Sequence, residues 1–183
     1  MLMGDMPFTP VHDLVIHPRD KEIVVATHGR SLYKADVSKV QKLNTTNIDS
    51  LTCFSENISI NHSSRWGSRS ATWREYYEPS VTFPVYTPLA GDALLKVYSD
   101  SLLVQEQQIK LHKGLSYYTY KLEMKEDAVD ALTKQILDKE PDADPKLKKA
   151  DNGMYYLPTG KYRMEIQMNN QKSIMLLDVK GKN

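Results

Sequence analysis

The sequence predicts a mainly β protein: a three-stranded meander followed by an antiparallel β-sandwich that carries one helical insertion. Three observations predict it. In Lys161-Tyr162-Arg163-Met164-Glu165-Ile166-Gln167-Met168 every second residue is apolar, which puts Tyr162, Met164, Ile166 and Met168 on one face of a strand and Lys, Arg, Glu and Gln on the other. A polar break, Asn169-Asn170-Gln171-Lys172, separates that run from Ser173–Val179, so the two read as a hairpin with one buried face that needs a second sheet to cover it. Most of the chain from Val81 to Leu122 has the pattern to supply that sheet.

At 183 residues the chain accommodates one sandwich of about 100 residues and a smaller unit beside it. Lys and Arg number 24 against 23 Asp and Glu, a formal charge of +1, so no global field recruits nucleic acid or an anionic membrane. Uninterrupted apolar runs are far shorter than the roughly 20 residues that span a bilayer, and no membrane span is expected. Met1–Pro7 lacks the basic start and apolar core of a signal peptide, which says little if the chain is a piece of a longer one. The single Cys53 excludes an internal disulfide and leaves the redox compartment open.

Taken in order, Val11–Ile16 and Glu22–Thr27 are apolar runs around His17-Pro18-Arg19-Asp20-Lys21, whose Pro and Asp suit a tight turn. Ser31–Ala35 follows the break His28-Gly29 and completes the meander. Ile23-Val24-Val25 is continuous apolar sequence, the pattern of a strand covered on both faces, yet little nearby is available to cover it. Asp36–Leu43 has Val37, Val40 and Leu43 at helical spacing, with Asp36 or Ser38 as N-cap.

These residues carry a resemblance. Pro10-Val11-His12-Asp13-Leu14-Val15-Ile16-His17-Pro18-Arg19-Asp20, then Ala26-Thr27-His28-Gly29-Arg30-Ser31-Leu32-Tyr33, resembles the last propeller blade of large bacterial proteins with BNR or sortilin-like repeats, often labelled glycosyl hydrolase or sialidase-like. In that family a C-terminal sandwich follows, similar to the Ig-like domain of a flagellar hook-capping protein. Here Ala90-Gly91-Asp92, Gly114-Leu115-Ser116 and Leu157-Pro158-Thr159-Gly160-Lys161-Tyr162 repeat that pattern. The resemblance implies residues 1–43 as a partial propeller blade with its short helix, 44–79 as a connector, and 80–183 as an Ig/fibronectin-like sandwich. It also implies an exported or envelope-associated, carbohydrate-processing parent. The Ser-x-Asp-x-Gly-x-x-Trp turn of such repeats is absent, and a propeller needs about four or more blades. The family's catalytic residues would lie on earlier blades, so none is carried over. His28 and Arg30 match the family's Thr-His-Gly-Arg turn and are expected to fix loop geometry.

Asn44–Asn61 is rich in Asn, Ser and Thr and reads as the connector. Arg65–Pro79 concentrates Trp66, Trp73, Tyr76 and Tyr77 with Arg65, Arg69 and Arg74, and both tryptophans lie here. Flat aromatics beside guanidinium groups stack on a sugar ring or a base; the same residues equally glue a half-wet seam between domains. The candidate ligand residues are therefore Trp66, Trp73, Arg74, Tyr76 and Tyr77.

From Val81 the sandwich begins. Val81–Tyr86 alternates, but Pro84 cannot donate to a ladder, which predicts an edge strand or a bulge. Ala93–Tyr98 and Leu102–Leu111 form a hairpin around Ser99-Asp100-Ser101, and Gly114 turns the chain into Leu115–Leu122. A helix is expected at 127–139, where Val129, Leu132 and Ile136 share a face and Pro141 lies beyond the end. Asp142–Asp151 is charged and reads as a mobile loop with a small basic cluster, Lys146, Lys148 and Lys149. Asn152-Gly153 turns into the final strands.

His12, Asp13, His17 and His28 are the nearest approach to a metal set, but alternate strand residues face opposite ways, so His12 and Asp13 do not easily share an ion. Cys53 has no flanking signature, no Gly-x-Ser-x-Gly elbow exists, Gly-rich phosphate loops are missing, and Asp13, Asp20 and Glu75 have no evident carboxylate partner for glycoside hydrolysis. Neither a catalytic residue nor a cofactor is assigned. Three functions remain: a non-catalytic C-terminal module that caps and stabilises a propeller, a carbohydrate-binding module using the aromatic cluster, and a hydrolase in its own right. The partners implied are the rest of the parent propeller, carbohydrate, and a second copy meeting the unpaired edges of the blade.

Overall fold

The computed structural model describes residues 6–29, 31–43, 47–142, 145 and 147–181; Arg30 and Lys146, named above, lie outside the described residues. The chain is mainly β. Strands β1 (Val11–His17), β2 (Glu22–Thr27) and β3 (Ser31–Asp36) form the expected antiparallel meander. The first turn closes through Lys21 N–H to the His17 carbonyl at 2.9 Å, with Lys21 in the left-handed region at φ 53°. Helix α1 (Ser38–Gln41) is shorter than the expected 36–43, and Asp36 accepts the Ser38 N–H at 2.7 Å ahead of it.

In the meander Leu14, Ile16, Ile23, Val25, Tyr33 and Ala35 share one face, while Val15, Val24 and Leu32 lie on the other, as the strand registers require. One face is therefore apolar, while the other mixes Val15, Val24 and Leu32 with His17, Glu22, Lys34 and Asp36, of which Lys34 and Glu22 pair at 2.9 Å. Among the described residues only Val25 and Val37 are buried in this unit, every residue of β1 is exposed, and Leu32 is 71% exposed. The main hydrophobic core contains no residue before Leu51.

The sandwich follows. β4 (Thr52–Cys53) and β5 (Asn57–Asn61) come from the segment that the sequence reads as connector. Asn-Ile-Ser-Ile-Asn is a period-two run disguised by its polar members, and its Ile58 and Ile60 pack on the core. Then come β6 (Val81–Thr87), β7 (Gly91–Ser99), β8 (Leu102–Leu111), β9 (Gly114–Tyr120) and β10 (Glu123–Met124). A 3-10 turn at Glu126–Ala128 leads into α2 (Val129–Lys139), in agreement with the helix expected at 127–139. β11 (Tyr155–Tyr156), β12 (Gly160–Met168) and β13 (Gln171–Lys180) close the chain.

One sheet has the order β5-β13-β12-β7-β8, another β4-β6-β9, and β10 pairs with β11. All pairings are antiparallel except β5 with β13, which is parallel and departs from the all-antiparallel expectation. The hairpin β12/β13 turns on Asn169 and Asn170, both left-handed at φ 48° and 62°, the geometry that a two-residue hairpin loop demands.

The two larger sheets share one core. Leu95, Val97, Met164, Ile166 and Leu177 from the first meet Phe83, Val85 and Tyr120 from the second, and Leu132 of α2 closes one end. Each fully buried aliphatic or aromatic side chain is worth about 1.5–3 kcal/mol over leaving it exposed, so this interface rather than any ion pair holds the sheets together. β6 is the middle strand of its sheet, although Pro84 predicts an edge. β4 reaches only Tyr86 and Val85, and the Pro84 carbonyl accepts from Phe54 N–H at 3.1 Å just beyond the end of β4. The proline's missing N–H faces this same side, so the return bond to Phe54 is absent and β4 ends there, while the pairing with β9 runs through Pro84 intact.

Candidate functional site

The aromatic segment is a loop closed at its neck. Gly67 N–H donates to the Tyr77 carbonyl and Tyr77 N–H to the Ser68 carbonyl, each at 2.8 Å, so the stretch between them projects outward. Gly67 makes the neck possible. Its φ is +72°, and a Cβ there would lie 2.8 Å from both Asn152 Oδ1 and Tyr156 Cε2 and press on Ala150 as well. The neck thus lies flat on the segment before β11, which the sequence reads as a mobile loop. Asn152 N–H donates to the Gly67 carbonyl at 3.2 Å, and the Asn152 side-chain amide donates to the Tyr156 hydroxyl at 2.7 Å.

Around this neck the candidate residues divide. Trp66 is 6% exposed, with its ring edge-on to His62 at 4.7 Å and to Tyr156 at 6.3 Å. Burial holds the His62 pKa below its ordinary value. Trp73 is 78% exposed, and the Arg74 guanidinium lies 5.0 Å from its ring centre. Arg69 lies 4.9 Å from the centre of the half-buried Tyr76 ring and donates from Nη1 to the Thr72 carbonyl at 3.0 Å; Tyr77 is exposed. The loop surface presents Trp73, Arg74, Tyr76 and Tyr77, while Trp66 faces inward. Sequence reasoning placed all five residues in one segment but had no means to assign sides, because a loop has no period. His62 and Tyr156, which complete the Trp66 packing, gave no signal of their own.

Beside the buried indole lies a cavity of about 640 Å³, bordered by His62, Ser64, Trp66, Lys148 and Tyr156. Of the basic cluster, Lys149 pairs with Glu126 at 2.9 Å and lies 5.4 Å from the Tyr155 ring.

The remaining polar groups are quiet. His12 and His28 stack at 4.9 Å, His17 contacts Asp20 at 3.1 Å, and Asp13 accepts the neighbouring Leu14 N–H at 2.8 Å. Among the described residues no three His, Cys, Asp or Glu side chains are grouped to hold a metal. Burial raises the Cys53 thiol to about 11, against the small opposing effect of the Ser173 hydroxyl, so it is a poor nucleophile at neutral pH. Among the described residues no helix is long and apolar enough to cross a membrane.

Fold and loop together define a β protein with one well-packed sandwich, a sealed aromatic neck and an uncovered three-stranded sheet. No protein-family model matches the chain, and no curated protein matches it.

Proposed function

We propose that this chain is a non-catalytic accessory module whose meander docks as one layer in the β-propeller of a larger, carbohydrate-processing, exported or envelope-associated protein, with the sandwich as its cap. The observation that carries this reading is the meander itself. It presents Leu14 and Ile16 on one face and Val15 and Leu32, among charged neighbours, on the other, and none of its described residues belongs to the sandwich core. Exposed apolar side chains on both sides of a sheet suit a layer between two others, and the stacked blades of a propeller are such layers.

Hydrogen exchange tests it. In the longer polypeptide encoded with this chain, the amides of β2 and β3 should be protected at least ~100-fold beyond the isolated chain, because opening would then require undocking. Equal protection in both would refute docking. The resemblance to glycosyl hydrolase-like propellers supports the carbohydrate part of the reading, and inactivity of the longer protein on every glycan tested would remove it.

A second reading rests on Trp73. Its exposed ring with Arg74 beside it suits stacking on a sugar. Under this reading Trp73→Ala abolishes glycan-induced fluorescence change while leaving the fold intact. A panel of glycans that leaves the emission of the unaltered chain unchanged would set it aside.

A further inference from the structure

The five-stranded sheet has an outer face, and at its centre sits a carboxylate where solvent should be. Glu165 is 3% exposed although its side chain points away from the core, opposite Ile174 on β13 and Lys96 on β7. One oxygen accepts from Arg163 Nη1 and lies 3.9 Å from Lys172 Nζ; the other accepts from Gln167 Nε2 at 3.1 Å. On its far side the Arg163 guanidinium lies 4.5 Å from the centre of the Tyr98 ring. Arg163 is thus held between a buried acid and an aromatic face.

A buried ion pair is weak evidence for stability, since an apolar pair of similar volume would serve the fold as well or better. What the arrangement does supply is a guanidinium with one fixed orientation and several donors still free. Those donors border a groove of about 540 Å³ that lies over β13 between β5 and β12. Asn57 and Ser59 form one bank, Lys161 and Arg163 the other, and Leu176, half exposed, lies between them. Lys180 stands at the end of the groove, and neither it nor Lys161 forms an ion pair among the described residues. Two acids line the groove: Asp100 is bound by Lys139 and Gln135, while Asp178 stands opposite Lys161 and offsets part of the charge of Lys161 and Lys180.

We propose that this groove binds an acidic saccharide chain, with Arg163 taking a carboxylate of a uronic acid and Lys161 and Lys180 taking the negative charge of neighbouring residues. Arg163 and Lys161 are two apart on one strand, which separates their Cα atoms by roughly 7 Å along the groove. The floor offers donors and acceptors side by side, Asn57, Ser59 and Asp178, which suits sugar hydroxyls. An extended peptide would instead draw its affinity from unpaired strand backbone; here β13 and β12 are bonded to neighbours on both sides, and the free edge of β5 lies on the side away from β13 and the groove. This site is separate from the aromatic loop and does not depend on the docking of the meander.

The test is calorimetric titration of the full chain with oligogalacturonate, its methyl ester and an oligoglutamate of equal length. Binding of the acid, at least tenfold tighter than the ester or the peptide, is expected. Arg163→Lys keeps the charge but loses the fork and the stacking, and should weaken binding about tenfold, ~1.4 kcal/mol. Glu165→Gln gives the decisive sign. It makes the surface more positive, so a merely electrostatic surface would bind better, whereas a groove that relies on an oriented Arg163 binds worse. Circular dichroism verifies that both variants fold, and if Glu165→Gln does not, Arg163→Lys alone decides. Absence of binding, tighter binding by Glu165→Gln, indifference to Arg163→Lys, or a preference for oligoglutamate would each overturn the proposal.

Discussion

Replacing Gly67 by alanine should cost far more than its position in a surface connector suggests. Two effects add. The left-handed backbone at φ +72° costs a residue with a Cβ about 1–2 kcal/mol. The new methyl would also sit 2.8 Å from Tyr156 Cε2 and Asn152 Oδ1, well inside contact distance, with Ala150 closing the third side. Overpacking of this kind typically costs about 1–3 kcal/mol, so the sum is about 3 kcal/mol. Gly153 supplies the control. Its φ is +82°, but nothing lies within 4 Å of where its Cβ would be, so Gly153→Ala carries only the backbone cost. Urea unfolding followed by tryptophan emission measures both, because Trp66 lies one residue from the substitution and is buried by the contact it would break. If Gly67→Ala is no more destabilising than Gly153→Ala, the neck is not packed as described and the structural role of Trp66 falls with it.

Three further outcomes follow from the same geometry. Cys53, with its thiol raised to about 11, should react with Ellman's reagent at pH 8 at least ~100-fold more slowly than a free cysteine, by its smaller thiolate fraction alone; a rate near that of free cysteine would show that the thiol is exposed. His62 has its pKa lowered by burial, so between its folded and unfolded values the unfolded chain binds more protons and stability falls as the pH drops below about 6.5. Substitution of His62 by glutamine should flatten that limb, and a limb unchanged in the variant would assign it to other groups. Acrylamide should quench two populations of tryptophan; Trp73→Phe should remove the accessible one, whereas Trp66→Phe should remove the protected one.

How much of this was readable in the sequence depends on whether a residue's neighbours are set by period or by topology. The core face of β12 was legible because alternation fixes which side each residue takes, and Tyr162, Met164, Ile166 and Met168 are all buried. The spacing of Val129, Leu132 and Ile136 located α2 for the same reason. β5 was not read as a strand, because its parallel partner β13 lies more than a hundred residues away and only that pairing turns Ile58 and Ile60 inward. The Glu165 network shows the limit most clearly. Alternation put Arg163 and Glu165 on the polar face, but only the neighbours across the sheet, Tyr98, Lys96 and Ile174, make one of them buried and the other fixed.

The meander raises the last question, which is whether it and the sandwich form one folding unit. The main core begins at Leu51, and before it only Val25 and Val37 are buried among the described residues. With so little side-chain burial the meander is held chiefly by its ladder bonds and is expected to open independently of the sandwich. Removing residues 1–43 should leave the unfolding midpoint of the sandwich unchanged within about 2 °C, because that removal takes no side chain out of the sandwich core. A calorimetric midpoint lowered by 5 °C or more would mean that the meander buries surface against the sandwich. That result would also remove the reason for proposing that its exposed apolar side chains await other sheets.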